Sequence, residues 1–257
     1  MSVARWSQAI DSLLVRPNWY LLSNSRQSGA TPGSEERLGV TPSDMQKRKR
    51  LVLASSSSRR QDLLGYLGIA FETIPSYIEE ITAPNLAPEE VAIALAGKKA
   101  TAVSEALLEE SSPEERKAEA KRLVVLGADT IVVCEDTLLG KPSSLGEARE
   151  MLLRLSGKMH HVYTGVAVVY FDETKEQMRC LSACQKTAVY MRDLSENEIS
   201  AYIETGEPMD KAGAYGIQGA GSALIEKIDG CSSNVVGLPM ASTVRLLRSA
   251  NIRVLGQ

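Results

Sequence analysis

The sequence holds only two histidines and four cysteines, and none of the cysteines forms a C-x-x-C pair. With His160 and His161 as the sole imidazoles, Cys134, Cys180, Cys184 and Cys231 cannot be drawn into a four-ligand zinc site of standard spacing. So few thiols in so long a chain point to a reducing compartment. Any metal chemistry must use oxygen ligands, which favours Mg²⁺ or Mn²⁺. No window nears the ~18 consecutive apolar residues of a membrane span. The longest apolar stretch, Val162 to Tyr170, is broken by Thr164 and Gly165 and has strand length. An excess of positive charge is also missing: 29 Lys+Arg stand against 32 Asp+Glu. That balance disfavours a general nucleic-acid surface, which must displace counterions. It leaves room for one small anion in a local basic pocket. Neither a nucleic acid nor a membrane is expected as a partner.

What is present is a globular mixture, 44% hydrophobic and 24% charged over 257 residues, enough for one large domain or two small ones. Charge is unevenly spread. Residues 1–50 contain eight Lys/Arg, four Asp/Glu and eight serines, and Asp11 is the one acid before Glu35. Two readings compete for residues 1–46: a disordered extension, or an Arg- and Ser-rich transit peptide with Trp6, Ile10, Leu13 and Leu14 at helical spacing. Localisation follows the choice, cytoplasmic for the first and organellar for the second. Lys47 to Arg50 resembles a nuclear-import patch but reads better as the lead-in to a strand, so the folded domain is placed at 47–257.

Periodicity then alternates between strand and helix. Leu51 to Ala54 is a short buried strand, and Leu63, Leu64 and Leu67 lie on a helix closed by Gly68. Pro88 with Glu89 and Glu90 opens a helix running toward Leu108. Glu109 to Arg122 is a charged loop or solvated helical insert. Leu123 to Leu126 and Ile131 to Cys134 are strands on either side of Gly127-Ala128-Asp129-Thr130. Ser144 with Glu147, and Ser195 with Glu198, have the spacing of capping boxes. Val162 to Tyr170, Thr187 to Met191 and Leu224 to Ile228 are further strands, and a last helix starts at Val244. The class is α/β.

Four places could carry chemistry. Ser55 to Ser58 with Arg59 and Arg60, between a strand and a helix start, would cradle a phosphate on backbone N–H groups and guanidinium forks. The plainer alternative is a serine-capped turn with solvated arginines. Asp129 lies inside an apolar stretch, so its carboxylate must be paired, bind a metal or face a cleft at a strand end. A turn residue stabilised by Gly127 is the rival. Lys99 falls on the stripe of Val91 and Leu95, where it either snorkels or points into a polar cleft. Lys141, between Gly140 and Pro142, is not a Walker A lysine, because Glu135 and Pro142 break that pattern. Asp210 to Gly219 is dense in glycine, which lets backbone approach a ligand. It lacks the flanking strand and helix of a dinucleotide site, and a flexible surface loop is the alternative. Glu79 and Glu80 add carboxylates. Together these groups suit metal-assisted attack of water on a phosphoanhydride.

In order along the chain, Leu53-Ala54-Ser55-Ser56-Ser57-Ser58-Arg59-Arg60-Gln61-Asp62-Leu63-Leu64, Leu126 to Thr130 and Leu139 to Pro142 resemble motifs of the Maf family of nucleoside triphosphate pyrophosphatases. Leu155-Ser156-Gly157 with Val162 to Gly165, Asp210 to Gly219 and Val235 to Pro239 complete the set, so the likeness runs from about Leu51 to Leu247. The resemblance implies an extended mixed sheet flanked by helices, with two lobes around a nucleotide cleft and often a homodimer. It implies hydrolysis of dTTP and UTP, with modified pyrimidine nucleotides as further substrates, using Mg²⁺ or Mn²⁺. It implies Asp129 as proton acceptor, Glu80, Lys99 and Lys141 as further catalytic groups, and Arg59, Thr130 and Gln218 as the residues that set the base. Ser55, Ser57, Arg59 and Arg60 would bind phosphate, and Asp129 with Glu80 would hold the metal. Ser56 and Ser58 depart from the family, which has a small residue and a proline there; losing the fixed φ of proline could loosen the cradle. Two rivals stay open: a nucleotide-binding regulator of cell division without required turnover, and a pyrophosphatase for a modified guanine nucleotide.

Overall fold

The computed structural model describes residues 49–78 and 86–255. The extension 1–46, Glu79 and Glu80 lie outside the described residues. One seven-stranded mixed sheet organises the rest, with strands β1 (Arg50–Leu53), β2 (Glu72–Thr73), β3 (Leu123–Cys134), β4 (Thr137–Leu139), β5 (Met159–Asp172), β6 (Gln177–Met191) and β7 (Ile225–Asp229). Their order is β2-β1-β3-β5-β6-β7, with β4 paired to β3. β2, β1 and β3 are mutually parallel. β3, β5, β6 and β7 alternate in direction. The class is the α/β one expected.

The helices are α1 (Ser58–Gly65), α2 (Pro88–Glu109), α3 (Pro113–Arg122), α4 (Leu145–Leu155), α5 (Glu196–Glu204), α6 (Ser232–Val236) and α7 (Met240–Ser249). No helix of the described residues is long and apolar enough to cross a membrane. Strand alternation sends Val124, Leu126 and Ala128 of β3 to one face of the sheet, where they pack with Leu63 and Leu64 of α1 and Leu247 of α7. Leu123, Val125 and Ile131 point to the opposite face, against Ala100, Val103 and Leu95 of α2. Farther along β3, Val132 and Cys134 enter a second core with Ala148, Leu152 and Leu155 of α4 and Ile199 of α5. Two lobes therefore share the same long strands.

Several expectations are revised in detail. The charged insert is a helix, α3, capped by Ser112 and tied to β1 through Arg50, whose guanidinium bonds Glu119 at 2.7 Å. Ser195 and Glu198 form the expected capping box. At α4 the Ser144 side chain caps Glu147 N, but the Glu147 carboxylate bonds Ser143 rather than closing the box. The last helix begins at Met240, four residues earlier than its periodicity suggested, because Pro239 stands at its N-cap.

Gly127 to Thr130, expected between two strands, lie inside one. These residues do not interrupt a strand. β3 runs unbroken from Leu123 to Cys134, with Asp129 opposite Gly165 of β5. Gly127 serves a close approach, not a turn: a Cβ there would overlap the Ala96 carbonyl oxygen, and one on Gly165 would overlap that of Ala92. With Ala92, Ala96 and Ala100 one turn apart on α2, small residues on both partners bring the helix backbone onto the sheet.

Candidate functional site

The site lies where the sheet leaves one edge of β3 uncovered. The pairing of β1 with β3 ends at Leu53 opposite Leu126, and that of β4 begins at Val132 opposite Leu139. Among the described residues, Gly127 to Ile131 have no strand neighbour on that edge. Leu126 O on this edge accepts from Ala54 N at 2.8 Å. Peptide groups alternate along a strand, so those of Ala128 and Thr130 are directed to the same side, into the gap. A cleft of about 620 Å³ opens there, bounded by the serine run, α2, the Gly140-Lys141 loop and the glycine-dense loop.

Every candidate residue within the described part of the chain lines this one cleft: Ser55, Ser57, Arg59, Arg60, Lys99, Asp129, Thr130, Lys141 and Gln218. Asp129, 5% exposed, forms an ion pair with Lys99. Lys99 therefore does not snorkel to solvent; the α2 stripe aims it at the sheet, and the glycine contacts bring it within reach of the carboxylate. Pairing is what makes a charge at such depth tolerable.

The serine run keeps its shape without proline. Ser57 caps α1, its hydroxyl accepting from Arg60 N, and Ser58 takes the first helical position, where proline fits but is not required. Ser55 Oγ, in turn, accepts from Ser57 N at 3.2 Å and from Arg60 Nη1 at 3.3 Å. Arg60 is further bonded by Nε to Gly237 O at 2.8 Å and by Nη2 to Thr130 Oγ1 at 3.0 Å. Arg59 reaches the other way and bonds Asp210 Oδ2 at 2.8 Å, joining α1 to the glycine-dense loop. Asp210 also accepts from Lys211. Burial pushes the Asp210 carboxyl up, and the bonds from Lys211 and Arg59 outweigh it and hold the group below its usual value.

The glycine-dense loop is a series of 3₁₀ turns rather than a flexible excursion. Gly213, at φ 71°, sits against Val132 and donates to Gly140 O, tying the loop to the segment that carries Lys141. On either side of Gln218 the backbone is fixed to α5 and the turn after it. Tyr202 Oη accepts from Gly216 N, and the Glu207 carboxylate accepts from Ala220 N, Gly221 N and the Tyr202 hydroxyl. Tyr215, in the same loop, is buried with its hydroxyl 2.6 Å from His160 Nε2. Burial lowers the His160 pKa to about 4.

Residues that the sequence did not single out complete the site from behind. Thr164 Oγ1 lies 3.0 Å from Thr130 Oγ1 and donates to Asn234 O at 2.8 Å. Asn234, fully buried at the start of α6, donates to Val162 O and Thr187 Oγ1.

The family model described as "Maf-like protein" matches residues 50–250. A dTTP/UTP pyrophosphatase of Caldicellulosiruptor saccharolyticus is 48% identical over 192 residues, covering 75% of this chain and 90% of the relative. Its counterpart in Caldicellulosiruptor bescii is 50% identical over the same shares. A dTTP/UTP pyrophosphatase of Bacillus cereus is 44% identical over 206 residues, 80% of this chain and 92% of the relative.

Proposed function

The chain belongs to the Maf-like protein family, and from that premise we propose that it is a nucleoside triphosphate pyrophosphatase hydrolysing dTTP and UTP to the monophosphate and pyrophosphate. The observation that carries the reading is the buried Asp129–Lys99 pair at the base of a cleft whose other walls present Arg59, Arg60 and Lys141. A carboxylate set among cations, at the open edge of a sheet, suits proton transfer beside a polyphosphate.

In this reading the triphosphate lies along the serine run, where the first N–H groups of α1 and the two arginines meet its oxygens. A water molecule attacks the α-phosphorus. Asp129 accepts its proton, the new P–O bond forms, and the bond to the bridging oxygen breaks as pyrophosphate leaves. Lys99 holds Asp129 in place. Lys141, exposed at the rim, balances charge on the departing pyrophosphate.

Among the described residues no three acidic, histidine or cysteine side chains converge on one point. One or two carboxylates together with the triphosphate oxygens would suit a divalent cation such as Mg²⁺. Asp129 would hold Mg²⁺ or Mn²⁺, with Glu80 as the second ligand. The cation supplies charge neutralisation at the phosphates. Arg59, Thr130 and Gln218, from three segments that line the cleft, are the groups we assign to the base.

The test is a panel of nucleoside triphosphates with purified full-length protein and Mg²⁺ or Mn²⁺, detecting both products. dTTP and UTP should be the preferred substrates, each giving one pyrophosphate per monophosphate. Release of orthophosphate instead, or no turnover of any nucleotide, refutes the reading.

A further inference from the structure

The Thr130 hydroxyl ends a chain whose proton directions are fixed from its far end. The Asn234 carbonyl can only accept. Thr164, fully buried, has one O–H, and it is committed to that carbonyl at 2.8 Å. Toward Thr130, 3.0 Å away, Thr164 can therefore only accept, so Thr130 must give its own proton to Thr164. Arg60 Nη2, a donor without acceptor capacity, occupies one lone pair of Thr130 Oγ1 at 3.0 Å. What Thr130 has left for the cleft is a lone pair and no proton. The far end cannot easily reverse. The Asn234 amide is held by its bonds to Val162 O at 3.1 Å and Thr187 Oγ1 at 2.9 Å. Thr187 in turn lies 3.2 Å from the Cys231 carbonyl, to which it donates.

We propose that Thr164 and the Asn234 carbonyl make Thr130 an acceptor-only group, and that this directs the enzyme to uracil and thymine over cytosine; the inference rests on the pyrimidine nucleotide reading above. Uracil and thymine carry a ring N–H between their two carbonyls. Cytosine carries a bare ring nitrogen at the same place. An acceptor pairs with the first and sets lone pair against lone pair with the second. Sites built on hydrogen bonds discriminate strongly in this way, because a mismatched ligand leaves buried polar groups unpaired. Taken alone, a threonine can donate as well as accept and would serve both bases; it is the network behind it that removes the choice. Thr164 is thus a positioning residue: it acts on the base through Thr130.

The experiment compares kcat/KM for UTP, dTTP and CTP in the wild-type protein and in Thr164→Val, Thr164→Ser and Thr130→Val. Thr164→Val keeps the shape and removes the hydroxyl, so the Thr130 proton is free to turn to the cleft and donate to cytosine. The UTP-to-CTP ratio should fall about tenfold, the worth of one hydrogen bond. Thr164→Ser should hold the wild-type ratio. A folded Thr164→Val protein with an unchanged ratio overturns the inference. Should the bare Asn234 carbonyl prevent that variant from folding, Thr130→Val decides. Loss of the acceptor should cost UTP and dTTP more than CTP. An equal loss on all three overturns the proposal, since a weakened anchor for Arg60 alone would do that. A wild-type protein without preference for UTP over CTP overturns the inference before any variant is made, whereas one that hydrolyses neither UTP nor dTTP refutes the pyrimidine nucleotide reading itself, a separate failure.

Discussion

Replacing Gly127 with alanine should damage catalysis through a contact that touches no substrate. The added methyl would overlap the Ala96 carbonyl oxygen and lie 2.9 Å from Ala100 N and 3.0 Å from Ala100 Cβ. Comfortable carbon contacts need about 3.5–4.0 Å. The obstacle is helix backbone, so α2 must retreat by roughly 1 Å or β3 must bend. Overpacking of this kind costs about 1–3 kcal/mol. In a domain of this size each kcal/mol lowers Tm by ~2–4 °C, so the melting curve should move down by several degrees. Lys99 precedes Ala100 on the retreating helix and pairs with Asp129, two residues beyond Gly127 on β3. A misplacement of ~1 Å in a catalytic arrangement can cost ~10²-fold in rate. The assay is kcat/KM for UTP together with thermal melting followed by circular dichroism. Gly97→Ala on the same helix is the control. Its methyl meets nothing within 4 Å, and glycine to alanine in a helix is worth about 0.5–1 kcal/mol in favour of folding. If Gly127→Ala melts and turns over like the wild type while Gly97→Ala behaves as expected, the close approach of α2 does not set the Lys99–Asp129 geometry.

Asp129→Asn, nearly isosteric, should lower kcat by ~10²–10⁴-fold, and Tm should fall as well because the buried ion pair with Lys99 is lost; near-normal turnover removes Asp129 as proton acceptor. Gln218→Glu loses the amide donor and adds charge, so kcat/KM for dTTP and UTP should fall relative to CTP and GTP, and unchanged ratios would exclude Gln218 from base reading. His160 has a folded pKa of about 4 against 6.5 unfolded, so the unfolded chain binds more protons between those values. Its contribution is complete above pH ~6.5 and is lost as pH falls toward 4, about 3 kcal/mol in all. Urea unfolding at pH 7 and pH 4.5 should show a smaller acid loss in His160→Gln than in the wild type, and equal losses would refute it. We also propose that residues 1–46 are dispensable, so a protein starting at Lys47 should keep kcat/KM and Tm; a drop in Tm of more than ~5 °C, over 1 kcal/mol, would place the extension in the fold.

Much of the site is legible in the sequence because its residues break a local pattern. Asp129 stands out in an apolar strand and Lys99 on an apolar stripe, and the structure joins the two oddities into one ion pair. The helix ends were readable where a side chain caps them, as at Ser195 and Glu198. Glycine signals two different things, a positive φ or a missing Cβ, and Gly127 serves the second where a turn is the reading its sequence suggests. Neither Gly127 nor Gly165 has a positive φ; both make room for α2. The β3–β4 hairpin escaped notice because its turn residues, Glu135 and Asp136 at φ 48° and 60°, are not the glycine and asparagine usual for that conformation. Thr164 shows in the sequence as a polar break in the apolar run Val162 to Tyr170 and Asn234 gives no signal, because the importance of both lies in contacts between segments far apart in the chain.

The strands that cross the molecule also decide how it can move. β3 contributes Val124 and Leu126 to one core and Val132 to the other, and β5 does the same with Val168 and Val162. Their ladder is continuous from Val124 opposite Tyr170 to Val133 opposite His161. A jaw-like swing of the lobes would have to bend this beam and shear its hydrogen bonds, so hinge closure is mechanically disfavoured. Accommodation of a ligand should then fall to side chains and to loops at the rim. Slow hydrogen exchange should therefore extend along β3 and β5 without a soft segment between the lobes. A ligand gripping either wall should raise protection in both halves together.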